Sequence, residues 1–207
     1  MSRRTRHGYH RSVDSDPVTA LLVVDVQNDF ADPEGSLAVR GARRILPRIA
    51  DEVRRYHDAG NLVVYTQDWH PPSTPHFAKD GGIWPVHCVA GTWGAELHPD
   101  LPVLGPVVRK GSNGEDGYSG FSMRDPVTGE EKPTELEALL RERGVTHLAV
   151  CGLATDYCVN ASAVDAVRLG FETTVLTRLI AAVNLQPGDG ERALREMTEA
   201  GASVTEG

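Results

Sequence analysis

The chain has 207 residues, near the size of one domain, with 40% hydrophobic and 24% charged residues and neither a repeat nor a low-complexity tract. A net charge of -8 excludes the basic stripe that nucleic-acid binding needs, and no apolar run approaches the roughly 20 residues that span a bilayer. Three cysteines cannot all pair within one chain, which favours a reduced, cytoplasmic compartment.

Residues 1–18 open with Arg3, Arg4, Arg6 and Arg11. A secretory signal would continue into an apolar stretch, but Ser12, Asp14, Ser15, Asp16 and Pro17 follow. The segment reads as a basic, disordered tail ahead of a single domain over 19–207. Ala20-Leu21-Leu22-Val23-Val24 is a short apolar run ending on Asp25, the pattern of a parallel strand buried on both faces. Ile45, Ile49, Val53 and Tyr56 recur at helical spacing between Arg43 and His57, and Gly60 closes that helix. Leu62 to Thr66 is a second strand. Pro71 to Pro106 is too punctuated by Pro and Gly for regular structure.

Val107-Val108 is a third strand leading to Lys110, followed by a polar loop from Gly111 to Gly129. A helix with Pro133 in its first turn runs to Arg143 and stops at Gly144. His147 to Cys151 forms a fourth strand, and Thr155 or Asp156 caps a helix reaching Leu169. Thr173 to Leu176 is a fifth strand, and Gly190 to Ala200 a last helix with an edge strand after it. Strands alternating with helices at these lengths predict an α/β fold, a three-layer αβα sandwich around a mostly parallel, Rossmann-like sheet.

Sites in such sheets lie beyond the carboxyl ends of the strands. Asp25 follows strand one, Asp68 and His70 strand two, Lys110 strand three, and Cys158 strand four. Four chain segments thus deliver an acid, a metal-type pair, an amine and a thiol to one rim. A thiol at a helix N-terminus is expected to have a lowered pKa and backbone N–H groups nearby for an oxyanion. Asp25, a carboxylate ending an apolar strand, needs a partner, and Lys110 can supply it; Asp25 would then take the thiol proton. Asp68-x-His70 with His76 and His87 suits zinc, iron(II) or manganese. Cys151 reads as core, and Cys88 is ambiguous. His7, His10, His57 and His147 read as incidental, and His98 as a turn residue. Trp69 and Trp93 read as structural.

Several blocks in order are similar to the nicotinamidases (pyrazinamidases) of the isochorismatase-like cysteine hydrolases. They are Val24 to Phe30, Gln67-Asp68-Trp69-His70-Pro71, Trp84 to Val89, Gly91-Thr92, Lys110-Gly111, Tyr118-Ser119-Gly120-Phe121 and Cys151 to Cys158. The resemblance runs from about Ala20 to Val183. It implies a catalytic triad of Asp25, Lys110 and Cys158, and one divalent metal held by Asp68, His70 and His76, with His87 a ligand in one branch. Phe30, Trp84 and Tyr118 would surround the substrate ring. The amides of Ala154 and Cys158 would form the oxyanion hole, with a cis peptide between Leu153 and Ala154. The implied activity is hydrolysis of nicotinamide, with pyrazinamide a second substrate, to the acid and ammonia through a cysteine thioester, in NAD salvage. Its partner would be a small amide, not a nucleic acid or membrane, and a homo-oligomer is left open. Two readings compete with it: an amidohydrolase for N-carbamoyl or ureido substrates, and a non-catalytic small-molecule-binding scaffold. The segment Thr177 to Ala182 departs from the family pattern by lacking an acidic residue near its start.

Overall fold

The computed structural model describes residues 17–206. Six strands make one sheet: β1 (Thr19–Val24), β2 (Leu62–Asp68), β3 (Val107–Lys110), β6 (His147–Leu153), β7 (Glu172–Ala181) and β8 (Ser203–Thr205). Their spatial order is β3-β2-β1-β6-β7-β8, and every neighbouring pair is parallel. The predicted edge strand is therefore present as β8, and the α/β sandwich is as expected.

The central strands are apolar on both sides because each face of the sheet is covered. Leu21, Val23, Val63, Tyr65, Ala149 and Cys151 point into one core with Ile45, Ile49 and Val53 of helix α2 (Ala42–Asp58), behind the short α1 (Asn28–Ala31). Ala20, Leu22, Val24, Val64, Leu148 and Val150 point into the other. There they meet Leu136 and Leu140 of α3 (Leu136–Glu142), Ala163 and Ala166 of α4 (Asn160–Arg168), and Ala193 and Met197 of α5 (Asp189–Ala200). Successive residues of a strand face opposite sides, so one uninterrupted apolar run serves both cores.

From β1 the chain builds outward through β2 and β3, then crosses to β6 and builds the other way. The sheet therefore reverses direction between β1 and β6, and the crevice opens where their carboxyl ends separate. Asp25 leaves β1 there with φ 48°, a left-handed conformation that Asp tolerates better than most residues. Opposite it, Gly152 pairs with Val24 and has φ 112°.

Three local readings are corrected. The expected loop from Gly111 to Gly129 contains one arm of an antiparallel hairpin, β4 (Ser122–Arg124) with β5 (Glu131–Pro133). Its turn is organised by Asp125 Oδ1, which accepts the N–H groups of Val127 and Thr128. The hairpin is solvated and strongly charged, so it carries no apolar alternation to read. Pro133 ends β5 instead of starting α3, and the Thr134 hydroxyl oxygen accepts the Leu136 N–H just ahead of that helix. Neither Thr155 nor Asp156 caps a helix: a π-turn over Thr155–Val159 precedes α4, with Ala154 as its cap residue. The tail expected over residues 1–18 lies outside the described residues except for Pro17 and Val18. The Val18 carbonyl already accepts N–H bonds from Thr146 and His147.

A Cβ on Gly152 would stand 2.1 Å from the Val24 carbonyl oxygen. Gly152→Ala should therefore destabilise the protein by about 3 kcal/mol through left-handed strain and overpacking. Thermal unfolding followed by circular dichroism should show a fall of roughly 6–12 °C.

Candidate active site and metal centre

At the crevice, Lys110 is fully buried at the end of β3. Its Nζ reaches Asp25 Oδ2 at 2.8 Å and also donates to Asp68 Oδ1 and the Gly117 carbonyl in short contacts. Cys158 Sγ lies 3.7 Å from the same nitrogen. Asp25, Asp68 and Cys158 offer atoms within 4.8 Å of one another. Asp25, Lys110 and Cys158, separated by up to two-thirds of the chain, are thus brought together as expected. Thr66 fixes Asp25 from both sides, donating its hydroxyl to Oδ1 at 2.7 Å and accepting the Asp25 N–H at 3.2 Å.

One ammonium between two carboxylates sets unequal proton affinities. Burial would lower Lys110, but Asp25 and Asp68 together raise it well above its ordinary value, so it stays charged. Burial raises Asp25, and the nearby Asp68 adds to this against the pull of Lys110. Burial also works against Asp68, yet Lys110 and the neighbouring imidazoles hold it below the usual carboxylate range. Of the two acids, Asp25 is the stronger base. The expectation of a lowered thiol pKa at Cys158 is overturned: burial pushes it well above normal, and Lys110 offsets only part of this. Burial of the sulfur, with Asp25 and Asp68 nearby, outweighs the pull of Lys110, so the resting group is a thiol that needs a base.

Beside this cluster His70, His76 and His87 form a second triplet, their nitrogens within 4.8 Å of one another. Their ring centroids are 4.9 to 5.4 Å apart. The His87 Nδ1 donates to the Pro85 carbonyl and His76 Nδ1 to Asp116 Oδ1, both at 2.7 Å. Carbonyl and carboxylate oxygens only accept, so each ring carries its proton on Nδ1 and presents an Nε2 lone pair. Both nitrogens of the wholly buried His70 have no hydrogen-bond partner. An orphaned buried imidazole flanked by two preset lone pairs is what a divalent cation would satisfy, so the residues fit a metal. Asp68 joins the two groups: Oδ1 meets Lys110, while Oδ2 lies 3.7 Å from His70 Nε2.

Between the clusters lies a small pocket lined by Phe30, Trp84, Tyr118, Ala154, Cys158 and, unanticipated, Tyr157 among others. Trp84 Nε1 donates to the Tyr118 hydroxyl at 2.9 Å, and Tyr157 meets Trp84 edge-on at 4.8 Å. The expected cis peptide joins Leu153 to Ala154. The Ala154 carbonyl accepts the N–H groups of Tyr157 and Val159, and both bonds bypass the Cys158 amide.

The sequence gives no role to Gln27 or Asp116, and to Asp156 only that of a possible helix cap. Gln27, fully buried, accepts the Asp68 N–H and donates to the Asp68 and Ala95 carbonyls, which fixes the strand end carrying Asp68. Asp156 accepts the N–H groups of Val183 and Asn184, anchoring the pocket wall beyond β7, whereas the segment Thr177 to Ala182 that lacks the family's acidic residue continues β7 as far as Ala181. Val183 lines the pocket. Cys88 stays out of the site: its thiol is buried, and its N–H, at φ 45°, binds Asp29 Oδ2. Cys151 is core, as expected. His98 does lie at a turn, but buried, with its Nδ1 accepting the Asp100 N–H. Arg109 stacks on Trp69, while Trp93 is half exposed.

Residues 19–207 match the isochorismatase domain family. The chain belongs to that family. Among its relatives, the nicotinamidase of Escherichia coli (strain K12) is 37% identical, with 91% of this chain and 94% of that protein covered. The crystal structure of the pyrazinamidase of Pyrococcus horikoshii in complex with zinc superposes with a TM-score of 0.82 at 38% identity, covering 92% of this chain and all of that one. PnC1 from L. infantum in complex with nicotinate gives a TM-score of 0.83 at 35% identity, with 93% and 94% covered. Both solved structures thus share the overall fold of this chain.

Burial pushes His87 from 6.5 down to about 4. An imidazole held neutral when folded but free to protonate when unfolded stabilises the fold above pH 6.5, and that contribution is lost as pH falls towards 4. In chelator-treated protein, urea unfolding at pH 7 and pH 5 should show wild type losing about 2 kcal/mol more than His87→Gln over this interval.

Proposed function

We propose that this chain is a nicotinamidase, converting nicotinamide, and pyrazinamide as a second substrate, to the carboxylic acid and ammonia through a cysteine thioester, as NAD salvage requires. The observation that carries the proposal is the meeting of Cys158, Asp25 and Lys110 with an imidazole triplet across one small aromatic pocket. The nicotinamidase relatives and the nicotinate-bound neighbour support the same substrate class.

Asp25, its basicity raised by burial, takes the proton of the Cys158 thiol. The thiolate attacks the carboxamide carbon, a C–S bond forms, and the carbonyl electron pair moves to oxygen, held by the amides of Ala154 and Cys158. Collapse breaks the C–N bond, and Asp25 returns its proton to the leaving nitrogen as ammonia departs. Asp25 then deprotonates a water that attacks the thioester, releasing the acid and restoring the thiol. Lys110 stays protonated throughout and balances whichever anion is present. Its buried charge also keeps Asp25 and Asp68 from sharing a site uncompensated.

A divalent cation would be held by His70, His76 and His87 with Asp68 alongside, and zinc is the first candidate given the zinc-bound neighbour. When bound, such a cation would supply Lewis acidity beside the pocket, polarising the substrate and favouring attack at its carboxamide. Phe30, Trp84, Tyr118 and Tyr157 exclude water and hold the ring plane. No helix among the described residues is long and apolar enough to cross a membrane; the proposed enzyme is a cytoplasmic one with a single domain over 19–207.

Cys158→Ala should lower ammonia release from nicotinamide by more than about 10³-fold, measured by a coupled assay. A residual rate near wild type would end the covalent scheme. Chelation should depress the wild-type rate and added zinc restore it. A carbamoylated amine should release no ammonia, because it offers no flat ring to the aromatic walls of the pocket.

A further inference from the structure

The segment Gly114 to Tyr118 touches both halves of the site within five residues. The Gly114 carbonyl accepts the Thr74 hydroxyl at 2.8 Å, and the Asp116 carboxylate meets His76 Nδ1 at 2.7 Å. The Gly117 carbonyl accepts from Lys110 Nζ, and the Tyr118 hydroxyl accepts from Trp84. Of these, Asp116 alone hydrogen-bonds to the imidazole triplet, while Tyr118 meets the His76 ring edge-on at 5.6 Å. Its side chain is only 23% exposed, and its backbone is pinned to Arg124 by a reciprocal pair of hydrogen bonds, at 2.7 and 3.1 Å. The carboxylate is therefore held in place by the β4–β5 hairpin before any ligand arrives.

We propose that Asp116 is a positioning residue for the metal centre, fixing the tautomer and ring orientation of His76 so that Nε2 faces the nitrogens of His70 and His87. This rests on the reading of the imidazole triplet as a cation site. A ligand's partner on the far ring nitrogen selects which nitrogen is free and removes the cost of ordering the ring on binding. Without Asp116, the Nδ1 proton and the ring flip become free, and the cation must restrict both. The β4–β5 hairpin, which shares no strand with the main sheet, thereby gains a role in metal affinity.

The test is direct titration of the metal-free full-length protein with zinc by calorimetry, for wild type, Asp116→Ala, Asp116→Asn and His76→Ala. Thermal unfolding of each metal-free variant is measured in parallel. Asp116→Ala should weaken zinc binding about 10- to 100-fold, the range for loss of such an outer partner. Asp116→Asn keeps an acceptor oxygen and should lose distinctly less, and a merely structural role would not produce that rescue. Zinc affinity in Asp116→Ala within twofold of wild type would overturn the proposal, as would equal losses in the two Asp116 variants. If His76→Ala binds zinc like wild type, the cation site itself is misassigned. Loss in His76→Ala with none in Asp116→Ala refutes the positioning role alone.

Discussion

A single buried ammonium holds the site together. Lys110 sits at the end of a short edge-side strand with no solvent access, and its three donors are taken by Asp25, Asp68 and the Gly117 carbonyl. Placing one positive and two negative groups in a protein interior is costly unless each is paired, and here the pairing joins three strand ends and a loop. Removing the amine would leave two carboxylates facing each other in low dielectric. The same arrangement divides the chemistry. Asp68 is held as an anion towards the imidazoles, while Asp25, more weakly compensated, is left as the base beside the thiol.

The nucleophile follows from that balance. Cys158 is buried enough that its thiol remains protonated at rest, so slow reaction with a thiol reagent would not by itself indicate a binding scaffold. Its activation depends on proximity to Asp25, and proximity depends on the sheet reversing between β1 and β6. Gly152, paired with Val24 at a spacing no side chain would allow, lets those two strand ends approach.

The imidazole triplet is assembled differently. His70 follows a sheet strand, but His76 and His87 lie in irregular chain, so their orientation comes from hydrogen bonds and packing. Pro85 and Asp116 preset two of the rings, while Phe77 packs against all three. Such a cradle tolerates no generic loop, and the Pro- and Gly-rich stretch, too punctuated for regular elements, is ordered around it.

The sequence alone determined the strands of the main sheet, the sandwich and the list of polar groups at the sheet's carboxyl rim. Apolar runs bounded by breakers are a local signal, and a carboxylate or thiol at the end of such a run is conspicuous. The ordered blocks around Asp25, Asp68, Lys110 and Cys158 made the family legible as well. Only the tertiary structure assigned Gln27, Asp116, Asp156 and Tyr157, since each acts through partners at least 27 residues away, as Asp156 does with Val183. It also reversed the sign of the thiol shift at Cys158. Local position suggested a helix dipole, whereas proton affinity there is governed by burial and by charges brought from other strands, which no linear pattern records.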